Sequence, residues 1–194
     1  MRLWYASDVP PRARFSRDTV LEAAIEVARI DGLLAVSARS VAKRLGSSTA
    51  PVTSYFDSMQ ALNDAVVERT VELLLETVAG EQGPDPLLAA SLGFLRFVTH
   101  EPRLYAGLFL VPHETPPDWV ALRRAFAHGL KDSERYRGLS TKARDAVAWR
   151  ASVVTHGICI EIWSGRWTKT GPDALARLVD ELVAPVVAGF FERR

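Results

Sequence analysis

The sequence predicts an all-α fold, and three observations carry that prediction. Apolar residues recur at three- and four-residue spacing along nearly every stretch between turn signals, which is the period of a helix. No stretch keeps the period-two alternation of a strand, and no internal repeat or low-complexity tract breaks the pattern. Serine, threonine or aspartate stands ahead of most of the runs, with glycine or proline beyond them, so the runs carry their own caps and stops. With 48% hydrophobic residues in a chain of 194, there is material for a packed core.

The elements follow in order. Val20, Ala24, Val27 and Ala28, with Leu21 and Ile25 beside them, form the apolar stripe of a first helix. Ser16 caps it, Asp18 complements its first turn and Asp31-Gly32 stops it. Ser37 caps a second helix that buries Val41, Ala42 and Leu45 and closes at Gly46. Ser48 caps a third, over roughly residues 49–56; its Pro51 falls in the first turn, where no intrahelical donor is lost. Asp57 or Ser58 then starts a long fourth helix to about residue 77. GEQGPDP, residues 80–86, is the clearest boundary. Beyond it the spacing predicts helices over about 85–99, 102–109, 118–135, 141–167 and 172–191, about nine in all.

Composition excludes several classes. The single cysteine, Cys159, allows neither an internal disulfide nor a zinc site built on paired cysteines, and points to a reducing cytoplasm. No apolar run is long enough for a signal peptide or a membrane span, so no membrane partner is expected. The net charge is only +1, but residues 10–55 hold seven Lys and Arg against four Asp and Glu, a local +3. A mildly basic head on a faintly acidic body suits a nucleic-acid reader with a second functional region.

The second and third helices have the layout of a helix-turn-helix, in which one helix braces a second whose N-terminal end enters the major groove. The same stretch resembles the TetR family of bacterial regulators over about residues 15–65. The landmarks are the LEAA…G first helix, the VAKRLG brace, the small-residue turn, Tyr55-Phe56 and a Ser58 that opens the long connecting helix. The resemblance implies an all-helical homodimer with a three-helix N-terminal DNA-binding domain and a helical C-terminal domain for ligand binding and dimerisation. It divides the chain into a basic arm over 1–14, a reading domain over 15–58 and a body over 59–194. It also implies a regulator, in most members a repressor, that holds a palindromic double-stranded operator and lets go on binding a small molecule.

The departures from the family pattern are informative. A lysine-glycine pair at the start of the reading helix is replaced by Thr49 and Ala50, an aromatic by Thr53, and the lysine opening the fourth helix by Met59. The reading helix carries no cation. Phosphate neutralisation is therefore expected from Arg12, Arg14 and Arg17 on the arm and from Arg39, Lys43 and Arg44 on the brace. Ser37, Ser48, Thr49, Ala50, Thr53, Ser54 and Tyr55 complete the expected DNA-facing set, Tyr55 through a phosphate. A relative that does not bind DNA and acts as an adaptor is the alternative those losses raise.

In the body, Trp149, Val153, His156, Ile160, Trp163 and Trp167 line one face of the helix over 141–167, and Val147, Ala151, Val154, Ile158 and Ile162 a nearly opposite one. Ala148, Ser152, Thr155 and Cys159 make a third, small-residue strip. A helix apolar on two faces needs cover on both. A dimer interface is expected from Val147, Ala151, Val154 and Ile158, with Leu178, Leu182 and Val186 of the last helix. Phe97, Phe109, Trp119, Phe126, His156 and Trp163 are the expected pocket residues, for an apolar or aromatic effector. His156-Gly157 resembles a pair that recurs in one subgroup of the family; the pattern favours a buried, hydrogen-bonded structural role for the imidazole over a ligand contact. Glu161 is expected to pair with Arg150.

An enzyme, a cofactor and a metal centre are not expected. His100, His113, His128 and His156 form no metal-ligand spacing. Ser152 and Cys159 lie within one turn of His156, the basis of a hydrolase alternative, but no orienting acid or oxyanion loop accompanies them.

Overall fold

The computed structural model describes residues 15–192, and every regular element among them is helical. Helix α1 (Arg17–Asp31) begins where the Ser16 hydroxyl accepts from the Thr19 amide at 3.1 Å, and it ends at Gly32. A 3-10 turn (Leu33–Ala35) leads to α2 (Ala38–Leu45), whose start is a reciprocal capping box between Ser37 and Ser40. Gly46 takes the left-handed conformation, φ 62°, that lets α2 reverse into α3 (Ala50–Tyr55) without a Cβ penalty. The N-cap of α3 is Thr49 rather than Ser48 and makes no side-chain cap bond; Ser48 Oγ reaches only the Ala50 amide, at 3.4 Å. Pro51 sits in the first turn as its lack of a donor requires. Buried Val52 and Phe56 fasten α3 to the core.

Of the two possible starts for α4 (Met59–Gly80), Ser58 is the one used, accepting from the Ala61 amide. α5 (Pro86–His100) is capped by Asp85 and crosses α4 closely: a Cβ on Gly93 would lie 2.7 Å from Val78 Cα. After α6 (Pro102–Phe109) comes the first difference from expectation. The run expected as one helix to 135 ends α7 (Trp119–Gly129) early, passes through a 3-10 turn (Leu130–Asp132), and restarts as α8 (Glu134–Arg137). The break turns Tyr136 into the core, where its hydroxyl donates to Asp85 at 2.8 Å and Arg135 reaches the same carboxylate at 2.7 Å. A buried acceptor at the start of α5 thus outweighs helical propensity at the end of α7.

α9 (Thr141–Trp163) lies at the centre of the body and packs on α5, α7 and α11; α5 packs on α4, and α1 on α2, α4 and α6. α9 stops at Trp163 rather than continuing to 167. A turn at Gly165 folds Arg166 back onto Glu161, and the Trp167 amide onto the Glu161 carbonyl. The last helix is α10 (Pro172–Leu178), a π-helical segment (Val179–Val183) and α11 (Ala184–Glu192) in continuous succession.

The faces of α9 are assigned differently from expectation. Val147, Ala151 and Ile158, expected at a partner, are buried in the chain's own core with Ala148, Thr155 and Cys159. Leu178 is buried as well, so these residues have almost no surface left for a second subunit. Of the other stripe, Trp149 and Val153 are each 53% exposed and Trp163 43%, while His156 and Ile160 are half-buried. Size decides this. The helices α5, α7 and α11 close on the side of α9 that carries the smaller residues, and the bulky indoles are left outside.

Candidate functional site

The helix-turn-helix comes first. Ser48, Thr49, Ala50, Thr53 and Ser54 are all exposed, on the face of α3 opposite Val52. The Thr53 hydroxyl donates to the Ala50 carbonyl at 3.2 Å and Ser54 to the same oxygen at 2.8 Å. Both hydroxyl oxygens can still accept, and both protons can rotate outward. Arg39 and Lys43 are exposed on α2. Arg17 lies over the Phe56 ring, 4.8 Å from its centroid, and Ser37 is occupied as the cap of α2. Arg44 is paired with Glu26 at 3.0 Å. Arg12 and Arg14 lie outside the described residues.

Tyr55 does not take the place expected of it. Its hydroxyl donates to the Phe15 carbonyl at 2.5 Å and ties the start of α1 to the end of α3. Its proton therefore serves the fold.

The second feature is a half-open cavity of about 490 Å³ lined by α4, α5, α6, α7 and α9. Leu74, Val78 and Leu87 form one side; Phe94, Tyr105, Phe109, Trp119, Phe126 and His156 form an aromatic one. Phe109 is the hub, with ring centroids 4.6 Å from Trp119, 4.6 Å from His156 and 4.9 Å from Tyr105. Of the six expected pocket residues, Phe109, Trp119, Phe126 and His156 line it. Phe97, one turn past Phe94 on α5, is packed into the core, and Trp163 is on the outer surface. The polar Ser91–Thr155 pair, bonded at 2.9 Å between α5 and α9, is part of the wall, as is Arg123, which pairs with Asp145 at 3.1 Å. Isolated hydroxyls in apolar helices leave no sequence signal of their own. The i, i+4 spacing of Tyr105 and Phe109 is the one clue that could have added Tyr105.

His156 is half-buried, and its Nδ1 lies 3.2 Å from the Tyr105 hydroxyl. It is hydrogen-bonded, as expected, but it is also wall. Burial holds the imidazole below its ordinary pKa and so favours the neutral ring. Burial likewise pushes the Tyr105 phenol up, and the Cys159 thiol up to about 12. A thiol that resists ionisation is a poor nucleophile. Ser152 donates to the Trp149 carbonyl at 2.8 Å and makes no bond to His156. Glu161 pairs with Arg166 at 2.7 Å instead of with Arg150, whose guanidinium lies over the Phe190 ring. Among the described residues no three His, Cys, Asp or Glu cluster as metal ligands would, and no helix is long and apolar enough to cross a membrane.

The two features share one element. α6 turns Tyr105 and Phe109 toward the cavity while Leu104 and Leu108 pack toward α1. Gly107 lies against Leu33, and Glu101 at the head of α6 accepts from the Arg29 guanidinium of α1 at 2.9 Å. Arg29 also bonds Glu26, which holds Arg44 of α2. Cavity wall and helix-turn-helix are thereby in contact through eight residues.

A three-helix N-terminal unit on a helical body with a cavity is the TetR-type fold. The chain is similar over 93% of its length to 96% of a candidate transcriptional regulator from Pseudomonas aeruginosa PAO1, with a TM-score of 0.61 and 15% identity. It is also similar, again over 93%, to 99% of a single-residue variant of TetR from Acinetobacter baumannii AYE crystallised with minocycline, with a TM-score of 0.59 and 21% identity. No family model matches the sequence, and no curated protein matches it. At these identities the likeness establishes the fold.

Proposed function

We propose that the protein is a ligand-responsive transcriptional regulator, a repressor that holds a palindromic operator as a homodimer in the bacterial cytoplasm and is released by a small molecule. The observation that carries this reading is the junction at α6, where one short helix is both cavity wall and support for the reading unit. A ligand that fits the cavity better in one position of α6 shifts the reading helices by that difference in affinity. Residues 15–58 act as the reader and 59–194 as the ligand and dimer body, with 1–14 as a basic arm. Thr49, Ala50, Thr53 and Ser54 meet the groove, and Arg17, Arg39 and Lys43 meet phosphates.

For the dimer, the supporting observation is apolar surface on two neighbouring helices. Val153 and Leu182, 53% and 46% exposed on α9 and the last helix, flank half-buried Val154 and Val186. The decisive experiment is selection from a randomised double-stranded DNA library with the full chain. A palindrome should emerge, and small aromatic compounds should lower its retention.

A second reading has its own support. α3 carries no cation, Arg44 is engaged by Glu26, and the Tyr55 proton by Phe15. A helical adaptor that binds no DNA is consistent with those three facts. Recovery of no library member by an intact dimer would select it.

A further inference from the structure

We propose that the cavity is selective for an uncharged aromatic compound bearing an oxygen acceptor, such as an aryl ketone, ester or lactone, held by one hydrogen bond from His156 Nε2. This rests on the reading of the cavity as the effector site and adds the chemistry that the site accepts.

Most of the hydroxyl protons in the cavity wall are already committed. Ser91 donates to the Leu87 carbonyl at 2.8 Å, Thr155 to the Ala151 carbonyl at 2.8 Å, and Ser152 to the Trp149 carbonyl. Those three hydroxyl protons are committed to protein acceptors, Thr155 sharing its own between the Ala151 carbonyl and the Ser91 oxygen. Among the described residues the hydroxyl of fully buried Tyr105 has one hydrogen-bond partner, His156 Nδ1 at 3.2 Å. A buried phenol proton needs an acceptor, so the phenol donates to Nδ1, which leaves the ring's proton on Nε2. Nε2 makes no hydrogen bond among the described residues, and its ring is wedged between Phe94, at 5.2 Å, and Phe109. The wall's other uncharged donors without a protein acceptor among those residues are the indole N–H groups of half-buried Trp119 and exposed Trp149; Nε2 is the one set between two phenyl rings.

Charge selects further. None of the lining side chains is a carboxylate or an amide, and the one permanently ionised group in the wall is Arg123. A cationic ligand would lose its hydration against a wall of its own sign. An anion would have to share Arg123 with Asp145, whose carboxylate already accepts from Nε and Nη2 at 3.1 and 3.5 Å and repels a second negative charge. An uncharged oxygen meets neither cost. It supplies the acceptor that Nε2 lacks, while the ring it belongs to packs on Phe109 and Trp119.

The test uses four naphthalenes substituted at the same ring position: the methyl ketone, the ethyl hydrocarbon, the carboxylate and the methylammonium. Each is titrated calorimetrically into the full chain at neutral pH. The ketone is expected to bind about tenfold more tightly than the hydrocarbon, and both ions more weakly than the ketone. His156→Phe should erase the ketone's advantage over the hydrocarbon, while His156→Gln, which keeps an N–H donor, restores part of it. Imidazole nitrogen shifts in labelled protein should report the Nε2-protonated tautomer. Equal binding of ketone and hydrocarbon, or tighter binding of either ion, would overturn the selectivity while leaving the cavity a ligand site. Absence of heat from all four would overturn the effector-site reading along with it.

Discussion

Asp85 is the residue on which the most depends for its size. It is 5% exposed, caps α5 through the Leu87 amide at 2.9 Å, accepts the buried Tyr136 hydroxyl and pairs with Arg135. Asp85→Ala would remove a cap and strand a phenol proton in the core, a loss of about 3 kcal/mol readable as a lower urea midpoint. Arg135 is half in solvent and rehydrates, so its charge adds little to that loss. His156 makes a prediction of a different kind. Its folded pKa lies below the ordinary 6.5, so between the two values the unfolded chain binds more protons than the folded one. Stability contributed by the neutral ring is therefore full above 6.5 and declines as pH falls below it. His156→Phe should reduce the drop in urea midpoint between about pH 7.5 and about pH 5 relative to the parent chain. Neither role could be derived from sequence. Asp85 stands there only at the start of a helix, and its partner Tyr136 arrives from fifty-one positions away through a break in a helix.

Among the elements, the caps were legible and the crossings were not. Ser16, Ser37, Ser58 and Gly46 act where local chemistry says they should, because a cap is satisfied within one turn. Gly93 gives no such sign, since its reason lies in α4. Gly93→Ala would drive a methyl into the Val78 backbone and separate the two helices, at a cost of about 1–3 kcal/mol in unfolding experiments. The cavity would change shape with them, because Val78 is one of its walls. For the reading unit the expectation is electrostatic. Arg39→Ala and Lys43→Ala should each weaken retention of any selected DNA site and lower the salt slope by about 1. Thr53→Ala should instead change which site is selected.

At the scale of the molecule, periodicity was sufficient for the fold class and the element order, and insufficient for orientation. α9 has apolar residues nearly all round, so its hydrophobic pattern contains no arrow; only the packing of α5, α7 and α11 shows which stripe is inside. The same ambiguity put Trp163 in the expected pocket although it lies on the outer surface; Phe109, Trp119, Phe126 and His156 line the cavity, and Phe97 of α5 is core. The surface left over makes its own prediction. Val153→Glu combined with Leu182→Glu should yield a monomer in sedimentation with helix content retained, because both side chains point outward from the single chain.

The seclusion of Cys159 gives the chain a clock. It is the only sulfhydryl in the sequence and has no accessible surface, so an alkylating reagent can reach it only during excursions that open the body. The tempo of its modification counts those excursions, and an occupant of the neighbouring chamber should slow it in proportion to how firmly it holds the walls shut.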